Sequence, residues 1–115
     1  MQPGSLDFEM PKGSTFSRTL TWKISGTAVD LTSYTARMQA RASVSSTTAV
    51  LDLTTANSKI VLGGTAGTIT ITVSATETAA ITQTSLAYDL ELVSAGGVVT
   101  RLVEGQIMLS PEVTR

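Results

Sequence analysis

Thr15-Phe-Ser-Arg-Thr-Leu-Thr-Trp-Lys-Ile24 is the stretch that decides the fold class, because its character alternates residue by residue. Phe16, Leu20, Trp22 and Ile24 fall on one side, and Thr15, Ser17, Thr19, Thr21 and Lys23 on the other. Successive side chains of a strand point to opposite faces, so a period of two marks a strand half-buried on a core. Arg18 is the only charge on the apolar side of this run, which places it near a strand end or in a pair at the rim.

Further strand-like runs follow at short intervals: 35–42, 49–53, 59–62, 68–73, 86–93, 98–103 and 106–109. Turn signals separate most of them, at Ser25-Gly26, Asn57-Ser58, Gly63-Gly64 through Gly67, and Gly96-Gly97. Short strands with such punctuation predict a sandwich or barrel. Ser74-Ala-Thr-Glu77 has the spacing of a capping box, in which serine and glutamate satisfy each other's orphan backbone donors. One helical turn is therefore expected near residues 75–81. Leu86-Ala-Tyr-Asp-Leu-Glu-Leu92 then alternates with Leu86, Tyr88, Leu90 and Leu92 inward. A helical turn followed by a strand with an inward tyrosine also occurs in immunoglobulin-like sandwiches, where the tyrosine hydroxyl pins a corner. The expectation is an all-β, immunoglobulin-like antiparallel β-sandwich of roughly seven to nine strands. Its core should include Phe16, Leu20, Trp22, Met38, Ile69, Ile71, Tyr88, Leu90 and Leu92. Residues 1–14, with Pro3, Gly4, Pro11 and Gly13, read as an arm bearing at most one short edge strand over 6–10; residues 15–115 read as the single domain.

Composition narrows the chemistry. The chain has 115 residues, 42% of them apolar and only 15% charged, with a formal net charge of −1. Hydroxyl residues fill the polar positions, and threonine suits a pleated surface because its Cβ is branched. Eight scattered basic residues form no basic footprint, so nucleic acid is not an expected partner. There is no cysteine and no histidine, which removes thiolate sites, the commonest metal ligand and the commonest general base. No cofactor or metal is expected. The N-terminal residues lack the pattern of a signal peptide, and no apolar run approaches the roughly 20 residues of a membrane helix. Membrane insertion is therefore not expected.

Four groups of residues invite a functional reading. Asp89 and Glu91 share a strand face and, with Asp52, are the carboxylates most open to catalytic interpretation. Polar alternation is also what a solvated sheet face requires, and Arg37, Gln39, Arg41 and Arg101 are placed to pair across it. Gly63-Gly-Thr-Ala-Gly67 resembles a phosphate loop in composition, but strand rather than helix follows it, so a hairpin loop is expected. Trp22, Tyr34 and Tyr88 could stack on sugars if exposed, yet with 4% aromatic residues they are needed inside. Finally, Ile107, Met108 and Leu109 are consecutive apolar residues, so at least one must face outward. This C-terminal tail, together with the residue 6–10 edge guarded by Pro11 and Lys12, is the expected assembly surface for self-association or a partner subunit.

The segments Thr15 to Lys23, Val29-Asp-Leu-Thr-Ser-Tyr34 through Arg41, Leu51-Asp-Leu-Thr-Thr55, Ile60 to Ile71, Ser74 to Ala80, Tyr88 to Leu92 and Val99 to Gly105 resemble a group of small proteins encoded in prophages and tailed phages. More distantly, the pattern is similar to the immunoglobulin-like N-terminal domain of phage baseplate upper proteins. The resemblance implies a non-enzymatic virion structural protein, a tail-tip or baseplate component or adaptor. It would be assembled in the bacterial cytoplasm with other phage structural subunits. In the baseplate proteins receptor-binding segments follow this domain; here the chain ends at Arg115, so a building block is expected rather than a direct receptor binder. The alternative is a carbohydrate-binding or host-surface adhesion module, which requires exposed aromatic rings.

Overall fold

A computed structural model describes residues 4–113, and among them the chain is built from strands with one short helix. Residues 1–3 of the expected arm and residues 114–115 of the expected domain lie outside the described residues. The strands are β1 (Gly4–Ser5), β2 (Phe8–Pro11), β3 (Phe16–Thr21), β4 (Lys23–Ile24), β5 (Thr27–Ala28), β6 (Thr35–Arg41), β7 (Ala49–Thr54), β8 (Ile60–Leu62), β9 (Thr68–Val73), β10 (Ser85–Val93) and β11 (Val99–Ser110). The larger sheet has the order β1-β11-β10-β6-β7, with β2 also on β11; the smaller is β3-β9-β8. Their inward side chains form one apolar core, sandwich fashion. Met38, Leu90, Leu92 and Ile107 come from the larger sheet, and Phe16, Ile60, Ile69 and Ile71 from the smaller.

The expected alternation holds where it was strongest. Along β10 the inward Leu86, Tyr88, Leu90 and Leu92 are all buried. Phe16 and Trp22 are buried and Leu20 is half-buried against the same core. Arg18 is exposed in mid-strand, its guanidinium 4.7 Å from the centre of the Phe16 ring. Ile24, however, faces solvent. The ladder with β9 ends at Trp22, whose N–H donates to Gly67 O (2.9 Å). Beyond it β4 and β5 form a separate hairpin, turned at Ser25 and Gly26, both with positive φ.

Val29-Asp-Leu-Thr-Ser-Tyr34 is a built turn. Asp30 Oδ1 accepts from the N–H and hydroxyl of Thr32 (2.9 and 2.6 Å), which holds its carboxyl below the usual aspartate range. Leu31 is buried and its N–H donates to Gly64 O, tying this turn to the loop between β8 and β9. That glycine loop contains one 3₁₀ turn and closes an antiparallel hairpin, as its sequence indicates. The capping box also forms: Ser74 Oγ accepts from Glu77 N–H, and Glu77 reaches back to Ser74 N–H at the start of α1 (Ala75–Ala79). Lys59 pairs with Glu77 and is the main cause of its lowered carboxyl pKa. The buried Thr78 hydroxyl accepts from Gly13 N–H and donates to Ser14 O, fastening the β2–β3 connection to α1.

Both ends of the chain depart from expectation. The expected strands over 98–103 and 106–109 are one strand, β11, which begins at Val99 and runs through Gly105, with a register shift opposite Leu90/Glu91. The N-terminal segment, expected as an arm with at most one short edge strand, carries two strands, and its Phe8 and Met10 are buried in the core. Both β1 and β2 pair with β11, and they do so in parallel, so the sandwich is not purely antiparallel. Between them the chain leaves the ladder at Leu6-Asp7, opposite Gly105. A Cβ on Gly105 would lie 2.2 Å from Leu6 O, so no side chain fits. Tyr88, directly across from Gly105, donates its hydroxyl to Leu6 O, while Asp7 Oδ1 accepts from Gln106 N–H (2.9 Å). A side-chain carboxylate thus replaces the acceptor that an unbroken strand would supply. Burial first, and the Asp7 charge second, push the Tyr88 hydroxyl well above its ordinary pKa, so it remains a donor.

Removing that donor leaves Leu6 O unsatisfied in a partly buried setting, which costs about 1–3 kcal/mol. Tyr88→Phe is therefore expected to lower stability by that amount in urea unfolding. Amide exchange should speed up first in residues 6–11.

Candidate functional site

Seven of the seventeen charged residues of the chain lie on the outer face of the larger sheet. Odd-numbered positions of β6 and β10 point away from the core, as the burial pattern of both strands shows. Register then sets the neighbours. One rung carries Asp52, Gln39, Asp89 and Glu104 across β7, β6, β10 and β11; the next carries Thr54, Arg37, Glu91 and Arg101. Rows of carboxylates and guanidiniums therefore interleave. Arg37 Nε meets Glu91 Oε1 at 2.8 Å, and Arg101 reaches diagonally to Asp89 (3.5 Å) and Glu104 (3.4 Å). Arg41 donates to Gln39 Oε1 (2.7 Å) and to Ser46 O (3.1 Å).

This face is concave. A groove of about 710 Å³ lies over Gln39, Arg41, Asp89, Glu104 and Gln106, with Val44 among its lining residues. A second hollow of about 410 Å³ lies over Arg37, Asp52 and Thr54. Asp89 lies partly buried in the charge network, and its carboxyl is pushed above the ordinary aspartate range. Partial burial is the first cause and the Glu91 charge the next, with Arg101 pulling the other way. The arrangement is a pre-organised polar surface with its charges matched in plane, and such surfaces select partners by electrostatic complementarity.

The other candidate residues fall elsewhere. Trp22 and Tyr88 are buried, and Tyr34 is half-buried with its ring edge-on to Trp22 at 6.2 Å. Phe8 and Phe16 are also buried, so all the aromatic rings of the chain belong to the core rather than to a sugar-binding platform. Trp22 Nε1 is buried without an acceptor, and nothing in the structure explains it. Of the three residues expected to form an assembly surface, Ile107 and Leu109 are buried core residues, and Met108 alone is exposed, at 48%. The reason is topological: β11 has β10 on one side and β2 on the other, so it is an interior strand. Glu104 had no signal in the sequence, because the shifted register of β11 breaks the alternation that would reveal its face.

Among the described residues, no three His, Cys, Asp or Glu side chains come together as a metal site, and no helix is long and apolar enough to cross a membrane. The chain matches no protein-family profile and no curated protein.

Two outcomes test this placement. The folded protein holds the Asp89 proton more tightly than the unfolded chain does. The stability linked to that proton is full below the unfolded-state pKa and is lost as pH rises through the folded-state value. Asp89→Asn should flatten this loss, read from urea midpoints between about pH 3 and about pH 7. Met108→Lys should change stability by no more than about 0.5 kcal/mol, whereas Ile107→Lys should cost more than about 3 kcal/mol, because it buries an unpaired charge.

Proposed function

We propose that this protein is a non-enzymatic structural subunit of a bacteriophage particle, a tail-tip or baseplate component that works by protein–protein assembly. The observation that carries the reading is the concave, charge-interleaved face of the larger sheet. Three of its four carboxylates, Asp89, Glu91 and Glu104, are tied to arginines. A charged face of this kind suits docking against a complementary subunit. The resemblance to prophage and tailed-phage proteins supplies the setting. The sugar-binding alternative has lost its motivation, since its three aromatic residues pack into the core.

The immunoglobulin-like form of the sandwich is part of the same proposal. Its support is the strand order: β3, β9 and β8 correspond to strands B, E and D of that fold, and β11, β10, β6 and β7 to G, F, C and the added C′. Helical turn α1 precedes β10, as it would precede strand F, and Tyr88 on that strand binds a backbone carbonyl through its hydroxyl.

The test is to tag the protein in the bacterium that encodes it, induce particle production and fractionate purified virions on a density gradient. Co-sedimentation with intact particles is the expected result, together with tailless or non-adsorbing particles when the gene is deleted. Complete particles lacking the protein would overturn the proposal.

A further inference from the structure

Every sheet edge exposes backbone groups that can template association unless something blocks them. Among the described residues, three of the four outer strands of the two sheets are interrupted, short or partly capped. The Asn57 side chain obstructs the end of β7, accepting from Thr54 N–H (3.0 Å) and donating to Asp52 O (3.0 Å), and the Asp52 charge stands on the same strand. The β1/β2 edge is broken at Leu6-Asp7 and ends in Pro11. Strand β8 is only three residues long and follows Lys59. Strand β3 differs: six residues run without proline, glycine or register shift, and Arg18 is the only charge.

The ladder shows which groups are free. Trp22 N–H bonds Gly67 O, while Gly63 N–H bonds Thr68 O and Thr72 N–H bonds Lys59 O. In an antiparallel ladder the bonding direction alternates residue by residue. Phe16, Arg18 and Leu20 therefore bond β9, and the N–H and C=O of Ser17, Thr19 and Thr21 point outward from the sheet. Ser17 O alone has a substitute partner, the exposed Arg18 guanidinium (2.9 Å).

We propose that β3 pairs antiparallel with β3 of a second copy of this chain, about a two-fold axis through Thr19, joining the two smaller sheets into one. The free groups are self-complementary about that residue. Thr19 faces Thr19 of the second copy, and Ser17 faces Thr21, each opposed pair exchanging two hydrogen bonds. The same register sets Arg18 opposite Leu20 of the second copy, so like charges are not opposed. Shifting the axis to Arg18 would oppose the two arginines, and like charges directly opposite destabilise a sheet. The joined outer face carries uncharged rungs: Ser17 beside Thr72, Thr19 beside Thr70 (hydroxyl oxygens 3.1 Å apart) and Thr21 beside Thr68. The inference stands on this strand geometry alone, whatever particle the protein belongs to.

Sedimentation velocity over a concentration series tests it, with Thr19→Pro and two cysteine variants. Proline at 19 deletes an N–H that the fold does not use, so the protein should remain folded while dimer affinity falls at least tenfold. Because the chain has no cysteine, Thr19→Cys provides a unique cross-link. Opposed residues of a ladder lie about 5.5 Å apart at Cα, within disulfide reach. Thr19→Cys should give a covalent dimer on mild oxidation, and Thr72→Cys, one strand further from the axis, should not. A wild-type chain that stays monomeric at every concentration overturns the proposal. So does a dimer that survives Thr19→Pro, or one in which Thr19→Cys does not cross-link. Should Thr19→Pro unfold, the cysteine pair decides.

Discussion

The hydroxyl of Tyr88 on the carbonyl of Leu6, made in the gap that Gly105 leaves, is the contact on which the arrangement of both sheets turns. It holds the N-terminal segment against β11 where the ladder is interrupted, and so lets Phe8 and Met10 enter the core. With β2 in that place β11 becomes interior, and Ile107 and Leu109 are covered rather than offered to a partner. The same commitment leaves β3 without a neighbour on its outer side. The hydroxyl bond and the burial of Phe8 and Met10 together close this edge of the sandwich.

Two outer faces with different chemistry follow. The larger sheet gathers Arg37, Arg101, Asp89, Glu91 and Glu104 into ion pairs between β6 and β10, between β10 and β11, and along β11. Each exposed pair contributes at most about 1 kcal/mol, so their value lies in fixing a pattern of charge rather than in stability. The smaller sheet presents hydroxyls and, at its rim, the partly exposed Lys59 held by Glu77. Of the seventeen charged residues of the chain, seven lie on the outer face of the larger sheet.

The connections carry as much order as the strands. Asp30 organises the turn into β6, Asn57 closes β7, and Thr78 joins α1 to the start of β3. Each is a short polar side chain standing in for backbone partners that the ladders cannot supply. The loops therefore hold the two sheets in fixed relation without a disulfide.

Local pattern alone determined much of this protein. Alternation in 86–92 marked the inward face of β10, Ser74 and Glu77 marked the helix start, and the glycine run at 63–67 marked a hairpin. These signals are legible because each depends on residues close in sequence. The charge partners of Asp89 and Glu91 could be named but not paired, since pairing needs the register between strands. Other features were decided only by tertiary structure. Nothing near Leu6 announces that Tyr88 will hold it, and nothing near Gly105 says that one strand, not two, passes through it. The parallel pairing of the first strands with the last joins residues almost a chain length apart. It is favoured by burying Phe8 and Met10, a gain that exists only once the sheet they cover has formed.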